Sequence, residues 1–283
     1  MRNAFPMGKY LVMSCTNGES LLSPFQVSWE EYAGWRYCEL DLDGKGYDDF
    51  LTRARKQWST QISMGIKPKE YVPKAIFSDV DATLIPCESI EKLAEAKGCL
   101  DEVRNITELA MTGKLDFKQA LDARLKLLAG LEFQQVESIA YKIEPYPRVL
   151  EFVEWCMKKR IVFHMVSGGF IQMLSILAKK LKVDHVHTNK LEFIDQKMTG
   201  EVLGPVVDAR EKRDWLLRRC KELSLSSKDV LAIGDGANDL PMVKEAGLSV
   251  GFKPKPILYP FLSVINNTDS HEFHWKFLAL EGK

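Results

Sequence analysis

Residues 74–83 read Lys74-Ala-Ile-Phe-Ser-Asp79-Val-Asp81-Ala-Thr83, a short apolar run that ends in two carboxylates. A strand buried on both faces has this texture, brief and rich in apolar side chains. The same reading fits residues 161–166 and 229–234, and helical patterns lie between the three runs. Strand alternating with helix predicts a parallel sheet covered on both faces. Ligands of open α/β sheets bind at the carboxyl ends of strands, which puts Asp79 and Asp81 at a site-forming position. Two acids two residues apart on a strand would point to opposite sides, so the chain must bend after Asp79 for both to serve one site.

The third run also ends in carboxylates, Leu231-Ala-Ile-Gly-Asp235-Gly-Ala-Asn238-Asp239, in a glycine-containing turn. Carboxylate oxygens from two strand ends make a hard donor set of the kind Mg²⁺ prefers. The second run continues into Ser167-Gly168-Gly169, a hydroxyl and two glycines that let an anion approach the backbone. Either acidic motif alone would read as a turn. Each at the end of a strand-like run, in this order, they read as a site for phosphoryl transfer.

Composition sets the frame. The 283 residues carry 39 Lys and Arg against 39 Asp and Glu, which leaves no basic excess for a polyanion, so nucleic-acid binding is disfavoured. A composition 46% hydrophobic and 28% charged is that of a folded globular protein. Nothing approaches the ~18 apolar residues of a membrane helix or the ~7–15-residue core of a signal peptide, so a cytoplasmic protein is expected. The cysteines (Cys15, Cys38, Cys87, Cys99, Cys156 and Cys220) form no CxxC pair and read as reduced thiols. Between residues 89 and 145 three helical patterns end at Gly98, Gly113 and Gly130, and no strand is evident. A hairpin is expected over residues 191–203, turning near Asp195-Gln196-Lys197 or at Thr199-Gly200. The aromatic-rich first 72 residues lack clear periodicity.

The Asp79-to-Thr83 motif, Ser167-Gly168-Gly169, Lys212 ahead of a helix, and the Gly-Asp-Gly-Ala-Asn-Asp run at 234–239 resemble the four motifs of the haloacid dehalogenase superfamily. Glu88, the Met111-Thr-Gly-Lys-Leu-Asp-Phe117 segment and Arg124 narrow the resemblance to its phosphoserine phosphatase branch. It covers roughly residues 74–270. The resemblance implies an α/β fold: a Rossmann-like parallel sheet with a small helical cap inserted after the first motif. Residues 73–283 would be the phosphatase domain, with the cap at about 89–145. Residues 1–72 would be a region of uncertain fold, read as a reduced regulatory or dimerisation module.

The activity so implied is Mg²⁺-dependent hydrolysis of O-phospho-L-serine through an aspartyl phosphate, the last step of serine biosynthesis. Asp79 would be the nucleophile and Asp81 the general acid and base. Mg²⁺ would be held by Asp79, the backbone carbonyl of Asp81 and Asp235. Ser167, the Gly168 amide, Lys212 and Asn238 would hold the phosphoryl oxygens. Glu88 and Arg124 would meet the substrate amine and carboxylate, while Met111 and Phe117 exclude water. The expected partner is this small molecule, with a homodimer left open. Two alternatives stay open: a superfamily phosphatase or phosphotransferase acting on another phosphomonoester, and a binding protein built on an inactive domain of this type.

Several readings stand apart from the resemblance. Lys212 lies in the first turn of a helical pattern, where a cation opposes the helix dipole unless an anion is near; with Arg210 and Arg213 it also fits a solvated face. Arg124 falls inside the apolar stripe of Phe117, Leu121 and Leu128, where a guanidinium requires an anionic partner. Asp41-Leu-Asp43-Gly-Lys-Gly lacks the spacing of a calcium loop and reads as a turn. His185, His187, His271 and His274 lack zinc-site spacing and read as structural.

Overall fold

The computed structural model describes residues 8–14, 30–32, 35–57, 63–111 and 114–280. The N-terminal part supplies β1 (Gly8–Ser14), β2 (Glu30–Tyr32), β3 (Trp35–Leu42), α1 (Gly44–Gln57) and β4 (Met64–Pro68). The first run of the sequence reading is β5 (Ala75–Ser78). Four helices follow: α2 (Ser89–Lys97), α3 (Leu100–Met111), α4 (Phe117–Leu128) and α5 (Phe133–Tyr141). Then come α6 (Val149–Lys158), β6 (Val162–Phe170), α7 (Ile171–Leu181), β7 (His185–Asn189), β8 (Leu191–Ile194) and β9 (Lys197–Val202). The chain ends through α8 (Ala209–Glu222), β10 (Val230–Gly234), α9 (Leu240–Glu245), β11 (Leu248–Phe252), β12 (Val264–Asn266) and α10 (Glu272–Ala279).

Among the described residues, ten strands form one sheet in the order β2-β3-β1-β4-β12-β11-β10-β5-β6-β7. From β12 to β7 every pairing is parallel, as the alternation of strand and helix predicts. Alternate side chains of β5 feed opposite faces. Ile76 packs with α6, α7 and α10 residues such as Phe152, Leu174 and Phe273. Ala75 and Phe77 pack with α1, α8 and α9 residues such as Phe50, Leu216 and Met242.

The N-terminal strands continue this sheet. β4 pairs antiparallel with β12, and β1 and β3 extend it outward. Leu11 and Met13 of β1 enter one face of the core while Tyr10 and Val12 enter the other. Burial on both faces hides period-2 alternation in β1 and β4, whereas Cys38-Glu39-Leu40-Asp41-Leu42 of β3 does alternate between more and less buried side chains. The junction is close: a Cβ on Gly65 of β4 would lie 2.7 Å from the Phe277 ring of α10. Lys67 of β4, fully buried, donates to the Leu280 carbonyl at 3.0 Å just past that helix.

The expected helix stops recur where they are described. Gly98 caps α2 with φ +76°, a conformation that costs glycine little. Asp116 caps α4 in a reciprocal box with Gln119. The β8–β9 hairpin turns at Asp195-Gln196, both at positive φ, the first of the two expected sites. Backbone bonds at 2.7–2.8 Å join it to the α4–α5 connection, Gly130 to Met198 and Met198 to Leu131. Asp41 and Leu42 close β3, whereas Asp43 accepts from the Gly46 N–H at 2.6 Å at the start of α1, so the segment read as a turn is a strand end joined to a capped helix.

Candidate active site

The chain bends sharply after β5. The Val80 carbonyl accepts from the N–H groups of Thr83, Leu84 and Ile85, and Ala82 takes φ +54°, a left-handed conformation unfavourable for alanine. This is the bend that two carboxylates on one strand end require. Nine residues given a site role in the sequence line one pocket there: Asp79, Asp81, Glu88, Phe117, Arg124, Ser167, Gly168, Asp235 and Asn238. Lys212 stands behind it in contact with Asp79. Met111 is the last residue of α3, and its side chain lies outside the described residues.

Asp79 is buried. Its Oδ1 accepts from the Val80 N–H at 2.7 Å and pairs with Lys212 Nζ at 2.8 Å, whereas Oδ2 has a contact of 3.5 Å from Asn238. Burial and then the Asp239 charge hold its carboxyl well above the usual range. Asp81 is raised to about 7, by burial first and then by Glu88. Asp235 rises to about 6 through burial and Asp239. Lys212 reaches the site because Asp208 caps α8, accepting from the Arg210 and Glu211 N–H groups at 2.8 Å. The side chain is therefore buried between carboxylates, and the solvated-face reading does not hold.

β6 runs on through Ser167-Gly168-Gly169, with an irregular register between Val166 and Phe170, so the motif lies in a distorted strand rather than after it. Asn189 of β7 donates to the Gly168 carbonyl at 2.8 Å and fixes that peptide. Arg124 uses one N–H on the Ala120 carbonyl at 3.1 Å and another, at 3.4 Å, on Thr107. A guanidinium has five N–H donors, so others stay available to an anion in the pocket. Burial lowers its pKa, and Glu88 opposes that. Glu88 itself is raised by burial, with Lys255 the strongest opposing charge.

A cation site fits these residues. Oxygens of Asp79, Asp235 and Asp239 lie within 4.8 Å of one another. Asp239 is already committed: Oδ1 meets Lys212 at 2.7 Å, and Oδ2 accepts from the Asp235 and Gly236 N–H groups. Asp79 and Asp235 thus remain as carboxylate ligands, hard oxygen donors suited to Mg²⁺.

Two residues of the site had no reading in the sequence, Ser89 and Lys255, and two have a different role from the one read there: Asp239, taken as part of the acidic donor set, and His271. Ser89 binds Asp81 through Oγ at 2.7 Å and through its N–H at 3.2 Å. Asp239 is the counter-ion of Lys212, and its place four residues after Asp235 was the available signal. Lys255 lines the pocket with Nζ 3.6 Å from Asp235, although nothing in its local sequence marks it. His271, expected to be structural, bonds the Thr83 carbonyl at 2.8 Å and His274 at 3.1 Å, so it braces the bend that carries Asp81.

Residues 76–244 match the haloacid dehalogenase-like hydrolase profile. A phosphoserine phosphatase of Streptomyces coelicolor is 39% identical over 185 residues, 65% of this chain and 45% of that protein, so the chain spans less than half that relative's length. A phosphoserine phosphatase of Methanocaldococcus jannaschii is 38% identical over 185 residues, again 65% of this chain and 88% of that one. The fold of a hydrolase of the same superfamily from Salmonella enterica serovar Typhi superposes with a TM-score of 0.85 at 24% identity, covering 97% of this chain and 99% of that one. The N-terminal strands therefore belong to a fold seen whole in another protein. Among the described residues, no helix is long and apolar enough to cross a membrane.

Proposed function

The chain belongs to the haloacid dehalogenase-like hydrolases, and from that footing we propose that it hydrolyses O-phospho-L-serine to L-serine and phosphate, the closing reaction of serine biosynthesis. One observation carries the reading. The pocket that holds Asp79 and Asp81 also holds Glu88 and Arg124, a carboxylate and a guanidinium suited to the two charged ends of an amino acid.

In this reading Asp79 attacks phosphorus as the ester bond breaks, giving an aspartyl phosphate. Asp81 gives a proton to the departing alkoxide and later takes one from water. Ser167, the Gly168 amide, Asn238 and Lys212 hold phosphoryl oxygens in line. Mg²⁺ would be held by Asp79, the Asp81 carbonyl and Asp235; bound there, it supplies positive charge to phosphoryl oxygens among crowded carboxylates. Phe117, in the pocket wall, would exclude water under the cap.

The same proposal divides the chain into a phosphatase unit at 73–283, its cap at about 89–145, and residues 1–72 as a regulatory or dimerising extension of the sheet. It places the protein in the cytoplasm, in keeping with free thiols at all five described cysteines; Cys15 lies outside the described residues.

The test is a panel of phosphoserine, phosphothreonine, O-phosphoethanolamine and sugar phosphates with and without Mg²⁺. Phosphoserine should lead and require the metal. Arg124→Ala should cut kcat/KM for phosphoserine about 100-fold, yet change it little for O-phosphoethanolamine, which has no carboxylate. A preference for sugar phosphates would overturn the substrate and leave the chemistry standing.

A further inference from the structure

We infer that Ser89 is a positioning residue that selects which oxygen of Asp81 carries the transferable proton, and the geometry points to Oδ1. The inference rests on the acid and base role proposed above for Asp81.

Ser89 is the first residue of α2, the first cap helix, and is completely buried. Its hydroxyl and its backbone N–H both donate to Asp81 Oδ2, at 2.7 and 3.2 Å. An oxygen already accepting two donors is a poor seat for a proton, which would have to displace one of them. The other oxygen differs in every respect. Asp81 Oδ1 is buried and has no hydrogen-bond partner, although Asp81 lines the pocket. A buried acceptor with no partner, on a residue that lines a pocket, can be satisfied by a group bound there.

Two further observations support the pairing. Glu88, the residue before α2, makes no side-chain cap, so the first turn of that helix is bonded by the Asp81 carboxylate itself. Gly169 leaves the pair its room: a Cβ there would come within 2.8 Å of Ser89 Oγ and 3.1 Å of Asp81 Oδ2. The orientation of the acid is thereby tied to the cap and not to its own loop alone.

The chemistry balances on one oxygen. As the bond from Asp79 to phosphorus forms and the ester P–O bond breaks, the proton on Oδ1 passes to the alkoxide, which leaves as the alcohol. Water then adds to phosphorus and gives a proton back to Oδ1, while the Asp79–phosphorus bond breaks and phosphate leaves.

The test compares two leaving groups. An alkoxide needs the proton, whereas p-nitrophenolate departs without it, and kcat/KM covers only the steps through the first departure. In Ser89→Ala, kcat/KM for phosphoserine should fall about 10- to 50-fold, against less than about threefold for p-nitrophenyl phosphate. Ser89→Thr, which restores the hydroxyl, should recover most of the phosphoserine rate. Equal losses on both esters would assign Ser89 a purely structural role and overturn the inference, as would no loss on either. If the native protein ignores phosphoserine but cleaves another alkyl phosphate, that ester takes its place, so failure of the substrate reading is distinguishable. A native protein that cleaves neither ester class overturns both.

Discussion

Lys212 and Asp79 meet at 2.8 Å with side chains 1% and 2% exposed, and the same ammonium lies 2.7 Å from Asp239. Burial presses Lys212 toward neutrality, yet Asp239 and Asp79 outweigh it and keep its pKa above the ordinary lysine value. Removing one partner of such a cluster leaves a buried charge uncompensated.

Lys212→Met should therefore cost about 3 kcal/mol in urea denaturation. Asp79→Asn in the same background should restore part of that loss, with a coupling of about 1 kcal/mol or more. Strict additivity of the two substitutions would show that the contact contributes nothing to stability.

Gly234 is tested by a methyl group. A Cβ there would stand 2.5 Å from Asp239 Cβ and Oδ2, so the counter-ion of Lys212 must move. Gly234→Ala should lower kcat more than about 100-fold. Gly204→Ala is the control: φ is +82° with nothing within 4 Å of the new methyl, and only about 1 kcal/mol of backbone strain is expected. Similar kcat values in the two variants would contradict the role given to Asp239.

His164 makes stability depend on pH. Its ring stacks on Phe77 at 4.4 Å and on His185 at 4.7 Å, and neither nitrogen has a hydrogen-bond partner. Burial first, then His185 and Arg219, hold its pKa down to about 3. Below pH ~6.5 the unfolded chain binds a proton there that the folded chain refuses, so this contribution is complete above that pH and declines toward pH 3. His164→Phe keeps the stack and removes the titration. Relative to the native protein, the variant should gain about 2 kcal/mol between pH 6.5 and pH 5 in denaturation curves. Parallel pH profiles would exclude His164 as the source.

The parts of the site that were legible are those whose chemistry is written in adjacent residues. Asp79 with Asp81, Ser167 with Gly168, and Asp235 with Asn238 each sit at a strand end that local pattern reveals, and the parallel order of β5, β6 and β10 follows. Ser89 was not legible, because its bond to Asp81 joins residues eight apart and forms only once the chain has folded back after the bend. Lys255 enters through a loop after β11 with no local mark. The N-terminal strands were missed for a related reason. Their neighbours are distant in the chain, as Gly65 opposite Val264 illustrates, and double-sided burial removes the alternation from β1 and β4, although residues 38–42 of β3 do carry it.

The pairing of β4 with β12 bears on how the first 72 residues can be studied. Cutting the chain at residue 73 would bare the edge of β12 and strip Leu11, Met13, Tyr10 and Val12 from the two core faces. A raw edge beside exposed apolar surface invites aggregation. Loss of activity on such a truncation would report collapse of the scaffold and say nothing about regulation. Genetically the segment comes first; mechanically it is a keystone of the sheet, and its own role is separable only by exchanging surface residues on β2 and β3 while leaving the strands in place.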